Sequence, residues 1–96
     1  MKIMAMTRRQ AGATTERIQA LQKKEVAAVW AMMGEGFIRE IYFDKDKPCV
    51  VLVLESESIV AAASRLAALP MVADRQIDFE YTVLGPYSQL ENLFAR

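Results

Sequence analysis

The segment from Cys49 to Glu55 contains five consecutive aliphatic residues, Val50 to Leu54. An uninterrupted apolar run of this length, bounded by polar residues, is typical of a β-strand whose two faces are both buried. Such a strand needs a layer of structure on each side of its sheet. This segment therefore constrains the fold more strongly than any other part of the chain.

The first predicted helix covers Thr15 to Met33. Thr14 or Thr15 can cap its N-terminus, because a threonine hydroxyl accepts a hydrogen bond from a free backbone N–H group. Gly34 and Gly36 follow its last turn, and glycines readily adopt the positive φ angles that end helices.

The other predicted elements are further strands and a second helix, which Ser56 can cap and Pro70 stops. Strict alternation of apolar and polar residues predicts the last strand. In chain order the expected elements are strand Lys2–Thr7, helix Thr15–Met33, strand Phe37–Asp44, strand Cys49–Glu55, the second helix, strand Ile77–Leu84, and a tail over about residues 87–96.

This β-α-β-β-α-β order predicts one ferredoxin-like α+β domain over residues 1–96, with an antiparallel sheet and both helices on one face. The other face carries valine, leucine and methionine rather than a solvated polar set, so we expect a second subunit to cover it. The sequence therefore predicts a homodimer. Leu90, Leu93 and Phe94 of the tail are a further candidate for subunit contact.

Composition argues against several classes of function. Twelve basic and twelve acidic residues cancel, whereas a nucleic-acid-binding protein needs a basic face. The chain has no histidine, which removes the commonest zinc ligand and general base, and no cysteine cluster suggests a metal. We therefore expect neither a nucleic-acid partner nor a bound metal.

The single cysteine, Cys49, cannot form an intrachain disulfide, so the sequence predicts a reducing, cytoplasmic location. The N-terminal apolar stretch is too interrupted for a signal peptide. No segment is long enough to span a bilayer, so we expect no membrane partner.

Glu25 falls within the apolar stripe of the first helix, between Leu21 and Val29. A carboxylate there must be paired, solvated by a pocket or kept neutral by a raised pKa. One interpretation is a structural ion pair with Arg39. The other is a general acid/base in an apolar pocket, able to take a proton from a carbon next to a carbonyl group.

Arg39 alternates with Phe37, Ile41 and Phe43, so we expect it to share their face of the second strand. A guanidinium there could hold a substrate carboxylate by two hydrogen bonds, or pair with Glu25 or another acidic group.

Four other side chains are candidates for which packing or solvation is favoured. Trp30 is interpreted as packing at a helix edge or subunit contact, in preference to pocket lining. Tyr81 is interpreted as a packed aromatic residue. Asp78 and Glu80 alternate on the polar side of the last strand, which favours a solvated or salt-bridged face over a metal site.

The sequence also resembles muconolactone δ-isomerase and its relatives over roughly residues 15–86. The motifs that carry the resemblance are short: Leu21-Gln-Lys-Lys-Glu25, Gly36, Arg39, the aromatic Tyr42, Ala68-Leu69-Pro70-Met71 and Ile77-Asp-Phe-Glu-Tyr-Thr-Val-Leu84. As in those relatives, a Glu in the helix, a Gly that ends the helix and an Arg in the next strand keep their spacing, here as Glu25, Gly36 and Arg39.

The resemblance implies a dimeric α+β barrel of ferredoxin-like subunits, which in some members assembles into larger rings. It implies a proton shift in a small unsaturated lactone that carries a carboxylate, without a metal or organic cofactor. Glu25 would be the base, and Arg39 would hold the carboxylate or polarise the lactone carbonyl. The expected substrate-binding residues are Leu21, Val29, Tyr42 and Phe79. The alternatives are a cofactor-independent oxygenase or decarboxylase-type enzyme and a non-catalytic binding or assembly domain of the same superfamily.

Overall fold

The structure is a computed structural model that describes residues 1–95, so Arg96, the end of the predicted tail, lies outside the described residues. The elements are β1 (Lys2–Arg9), α1 (Thr15–Gly34), β2 (Ile38–Phe43), β3 (Val50–Glu55), α2 (Ile59–Leu66), α3 (Pro70–Ala73), β4 (Ile77–Leu84) and a 3₁₀ turn (Ser88–Leu93).

The four strands form one antiparallel sheet in the order β2-β3-β1-β4. The apolar run of β3 lies inside this sheet, next to β1. Ala5 of β1 is paired with Leu52 on one side and Tyr81 on the other, which fixes the register of three strands. The predicted ferredoxin-like α+β fold is confirmed.

The hydrophobic core lies between one face of the sheet and the helices. Ile3, Ala5, Leu52 and Leu54 supply its sheet side and are almost completely buried. Along the twenty residues of α1 only Met32, near the C-terminal end, is buried. The earlier turns of α1 therefore stand away from the closely packed part of the core.

Both ends of α1 follow from local hydrogen bonding. Thr14 caps the helix, because its hydroxyl accepts a 3.1 Å hydrogen bond from the N–H of Arg17. Gly36 has a φ of 80°, and the N–H of Phe37 donates to the carbonyl of Met32 at 3.1 Å. This arrangement is a Schellman C-terminus.

The second helical region differs from the prediction at both ends. Ser58, rather than Ser56, caps α2, and its hydroxyl accepts from the N–H of Ala61 at 3.0 Å. The helix ends at Leu66, before the predicted stop. Pro70 instead begins α3, since proline has a helix-compatible φ and lacks the N–H that would be unpaired at a first helical position.

A bulge in β2 overturns the predicted face of Arg39. Ile38 pairs with Leu54 and Glu40 pairs with Val53, so β2 contains one residue more than β3 between these pairs. That extra residue is Arg39, and it interrupts the alternation of side chains on the strand. The prediction that Arg39 shares the face of its apolar neighbours is therefore wrong.

The face of the sheet opposite the helices has an apolar centre and a charged border. The half-buried residues at its centre are Met4, Met6, Val51 and Val53. At its border Arg8 contacts Asp78 at 3.0 Å and Glu80 at 3.3 Å, which confirms the salt-bridged interpretation of the two acidic residues.

Within residues 1–95, none of the helices combines the length and the apolar character that crossing a membrane requires.

Candidate functional site

A cavity of about 600 Å³ lies between α1 and the sheet, where the helix stands away from the core. Its wall is mainly aliphatic and aromatic, with a few polar groups. The lining residues are Thr7, Arg9, Ile18, Gln22, Glu25, Val26, Val29, Trp30, Met33, Ile41, Phe43, Pro48, Val50, Leu52, Leu69, Met71, Ile77 and Phe79.

Glu25 lies on this wall, half-buried, and one of its two carboxylate oxygens is anchored. The backbone N–H of Met71 donates a 2.9 Å hydrogen bond to Oε1 of Glu25. Met71 follows Pro70, which has no N–H, and Leu69 provides no side-chain cap for α3. Glu25 therefore accepts from a backbone N–H at the start of α3 that no neighbouring side chain serves.

Burial raises the pKa of Glu25 above its ordinary value, and the hydrogen bond from Met71 offsets part of this effect. No basic group lies within ion-pair distance of Glu25 in the part of the chain that the structure describes. The predicted pair with Arg39 is not formed. Glu25 thus occupies an open cavity and is not enclosed in a salt bridge.

The structure brings together only some of the residues expected at the site. Val29 and Phe79 line the cavity with Glu25. Leu21 is half-buried but is not part of the cavity wall. Arg39 and Tyr42 lie elsewhere on the β2 side of the molecule.

Arg39 and Tyr42 make local contacts that explain their positions. Nε of Arg39 donates to the carbonyl oxygen of Gly36, and the side chain is exposed. The hydroxyl of Tyr42 donates to Glu40 at 2.7 Å. Tyr42 borders a separate groove of about 240 Å³ with Ile41, Phe43 and Val50.

Several residues of the wall were not predicted from the sequence. Trp30 lines the cavity, which was the less favoured of its interpretations, and 75% of the residue is exposed, so its role in a subunit contact stays a prediction. Arg9 and Thr7 reach the wall because β1 continues to Arg9, beyond the predicted end at Thr7. The alternation Ile3, Ala5, Thr7, Arg9 was the available signal for both.

A buried glutamine, Gln76, directly precedes Ile77 of the cavity wall in the chain. Gln76 accepts a 3.0 Å hydrogen bond from the N–H of Thr14 and donates a bond of the same length to Asp74. Asp74 in turn accepts two hydrogen bonds from Arg17, of 2.8 and 3.2 Å. This network connects the first turn of α1 to the segment that follows α3.

Across residues 1–95, no cluster of three or more carboxylate and cysteine side chains is arranged to hold a metal ion.

No protein-family model and no curated protein matches the chain. Among solved structures, the chain is similar to a protein from Deinococcus radiodurans that is provisionally described as an antibiotic biosynthesis monooxygenase. The two are 18% identical, the match covers 90% of this chain and 94% of that one, and the TM-score is 0.51. A second structure, a structural-genomics protein from Agrobacterium tumefaciens, is also 18% identical, with a TM-score of 0.46 over 90% of this chain and 93% of that one. At this level of identity the comparison establishes the fold alone, which is the ferredoxin-like α+β fold.

Proposed function

We propose that the protein is a small, cofactor-independent enzyme that uses Glu25 to move a proton on a largely apolar carbonyl compound held in the cavity. In its most specific form, the reaction is a muconolactone isomerase-like proton shift on a small unsaturated lactone. The observation that carries the proposal is the position of Glu25: half-buried on the wall of an open cavity, anchored through one oxygen and, among residues 1–95, with no cation at ion-pair distance.

The environment of Glu25 suits acid/base chemistry. A raised pKa makes the ionised carboxylate a stronger base and increases the protonated fraction of Glu25 at any given pH. Oε1 is held by Met71, which limits the rotation of the side chain. The backbone N–H of Met71 is the only partner of the carboxylate found within residues 1–95. Oε2 is therefore the oxygen available to a substrate.

The proposed step conserves every atom of the substrate. Glu25 takes a proton from the carbon next to the lactone carbonyl, and the electron pair of that C–H bond enters the conjugated system to give a dienolate. The protonated Glu25 then returns the proton to the far carbon of the same system, and the double bond moves into conjugation with the carbonyl. No electrons are gained or lost, so no redox cofactor takes part.

The cavity suits a small ring compound. A volume of about 600 Å³ is within the range of about 300–1,000 Å³ that is usual for small-molecule sites. Its mainly apolar wall favours a substrate with few polar atoms. Such a substrate, once bound, would displace water from the carboxylate, which strengthens electrostatic effects at the reacting carbon.

The isomerisation of α-angelica lactone to its conjugated isomer in D₂O tests the proposal. Proton NMR follows the loss of the vinyl signal of the substrate and the appearance of the conjugated product. We expect turnover above the uncatalysed rate and a loss of at least about a hundredfold in Glu25→Gln. The fraction of deuterium at the far carbon measures how often the proton on Glu25 exchanges with solvent before it is returned.

Glu16→Gln is the matched control, because Glu16 lies on the same helix, is exposed and does not line the cavity. This variant is expected to keep the wild-type rate. Turnover that persists unchanged in folded Glu25→Gln protein would exclude Glu25 as the base.

A second candidate function is cofactor-independent oxygenation, which also begins with proton abstraction. The observations that favour it are the aromatic residues Trp30, Phe43 and Phe79 on the wall, which suit a flat ring system, and the description of the Deinococcus radiodurans protein as a monooxygenase. With anthrone as substrate, the CH₂ group would become a carbonyl while the second oxygen atom of O₂ leaves as water. Oxygen uptake by an electrode distinguishes this reaction from an isomerisation, which consumes none.

A further inference from the structure

The side of α1 that faces the cavity carries two polar residues next to each other in an otherwise apolar stripe. Five of the α1 residues on the cavity wall are spaced four, three, four and four positions apart: Ile18, Gln22, Glu25, Val29 and Met33. This spacing places their side chains on one side of the helix. Gln22 therefore interrupts the stripe beside Glu25, at a position where an aliphatic residue would be expected.

Gln22 lies one helical turn before Glu25, so the two side chains are neighbours. Residues three positions apart on a helix have Cβ atoms about 5–6 Å from each other. Both residues line the cavity. A small molecule that touches the carboxylate of Glu25 is therefore within reach of the Gln22 amide.

The amide of Gln22 is not engaged elsewhere in the described part of the chain. None of the side-chain hydrogen bonds among residues 1–95 involves it. A glutamine amide carries two N–H donors. Gln22 can therefore donate to a ligand without giving up a hydrogen bond to residues 1–95.

The proposed reaction needs such a donor at the carbonyl group of the substrate. When Glu25 removes a proton from the neighbouring carbon, negative charge develops on the carbonyl oxygen as the dienolate forms. A donor placed at that oxygen stabilises the transition state more than the ground state. The oxygen is only two bonds from the carbon that loses its proton, which suits a donor one helical turn from the base.

The other donor side chains on the wall are less well placed than Gln22. The guanidinium of Arg9 contacts Thr15, which is ten residues before Glu25, or about 15 Å along the helix. Trp30 follows Glu25 by five residues, so its side chain is turned about 140° from the carboxylate around the helix axis. The hydroxyl oxygen of Thr7, on the sheet, already accepts a backbone hydrogen bond of 2.9 Å.

We propose that Gln22 is a catalytic residue that donates a hydrogen bond to the carbonyl oxygen of the substrate while Glu25 removes the proton. The inference rests on the proposed function and deepens it, because it assigns the group that stabilises the dienolate. Gln22 transfers no proton in this role. The balance of atoms and electrons is therefore that of the proton shift alone.

The isomerisation of α-angelica lactone by Gln22→Leu tests this role. We expect kcat to fall by at least about tenfold, because the loss of one donor to a developing oxyanion costs up to about a thousandfold. KM should change much less than kcat, since the stabilisation is gained mainly in the transition state. Gln22→Glu keeps the shape of the side chain and removes the N–H donors, so it should lose at least as much activity.

Gln19→Leu is the matched control, because Gln19 is an exposed glutamine of the same helix that does not line the cavity. We expect this variant to keep the kcat and the KM of the wild-type protein.

The carbonyl stretching frequency of bound coumarin provides a second measurement, which needs no turnover. Coumarin is a conjugated lactone without the proton that Glu25 would remove, and a hydrogen bond to its carbonyl oxygen lowers this frequency. The infrared band is assigned with coumarin that is isotopically labelled at the carbonyl carbon. We expect a lower frequency in the wild-type protein and Gln19→Leu than in the two Gln22 variants.

An unchanged kcat in the folded Gln22 variants, or the same carbonyl frequency in all four proteins, would overturn the role of Gln22. Failure of coumarin to bind at millimolar concentration would overturn it as well. Turnover that depends on Glu25 but not on Gln22 removes this role and leaves the base intact. A carbonyl frequency that depends on Gln22, in a protein without lactone turnover, removes the proposed reaction and supports the hydrogen bond.

Discussion

Oε1 of Glu25 lies 2.9 Å from the backbone nitrogen of Met71, a residue 46 positions later in the chain. The hydrogen bond between them favours the ionised carboxylate, whereas burial disfavours it. Burial is the larger effect, so the pKa of Glu25 is raised in the folded protein. The folded chain therefore carries a carboxylate whose charged form is less stable than in water.

We expect Glu25→Gln to gain stability relative to the wild-type protein as the pH rises. The pKa of Glu25 is higher in the folded chain than in the unfolded chain, where it is about 4.3. Between these two values the folded protein binds more protons, so wild-type stability falls as the pH rises through this window. Glutamine does not titrate, and its amide oxygen still accepts from Met71.

Urea unfolding of both proteins at several pH values between about 4 and 8 measures this difference in the free energy of unfolding. Glu16→Gln, on the exposed first turn of the same helix, is the matched control. A difference between wild type and Glu25→Gln that does not change with pH would contradict the prediction.

We expect Gln76→Leu to lower the free energy of unfolding by about 1–3 kcal/mol, because the substitution leaves partly buried backbone groups without partners. The N–H of Thr14 loses its acceptor, and Asp74 loses a donor. Chemical denaturation measures the loss. Gln19→Leu, at an exposed position of α1, is the control, and its free energy of unfolding should stay within about 0.5 kcal/mol of the wild-type value. An equal loss in the two variants would contradict a specific role for Gln76.

We expect Val29→Trp to fill part of the cavity and to weaken the binding of ring compounds. Val29 is half-buried and faces the cavity from the middle of α1. A ligand that can no longer bury one ring loses about 1.5–3 kcal/mol, which is tenfold or more in affinity. Calorimetry with coumarin measures the change, and Ala27→Trp, at an exposed position of the same helix outside the wall, should bind as wild type does.

We expect the protein to be a homodimer through the sheet face that carries Met4, Met6, Val51 and Val53. Val53→Lys places a charge in the middle of this face, and an unpaired buried charge should raise the dissociation constant by at least about a hundredfold. Sedimentation velocity measures the oligomeric state. Val60→Lys, at a position of α2 that is 79% exposed, is the control and should sediment as the wild-type protein does. A wild-type protein that sediments as a monomer at micromolar concentration would exclude the dimer.

Much of the fold could be predicted because it depends on local patterns. The apolar run of β3, the alternation in β4 and the threonine before α1 each specify their own element through periodicity or capping. The bulge at Arg39 was not predicted, because it depends on how β2 pairs with β3 rather than on the composition of either strand. Pro70 was interpreted as a stop, but a proline is equally compatible with the start of a helix.

The site was harder to predict because its contacts are distant in sequence. The stripe on α1 identified Glu25, Val29 and the apolar character of the wall. The partner of Glu25 is a backbone N–H, which no side-chain pattern can indicate. Arg9 was missed because the predicted strand ended two residues before it.

The open space beneath α1 has a consequence for finding the natural ligand. A compound that fills this apolar volume would take the place of side chains that the core lacks there, and it would bind the folded chain but not the unfolded one. At a concentration of about 100 times its dissociation constant it would add about 2.7 kcal/mol to the free energy of unfolding. For a domain of 96 residues that gain is a rise of roughly 10 °C or more in melting temperature. Thermal denaturation can therefore rank candidate substrates before any reaction has been observed.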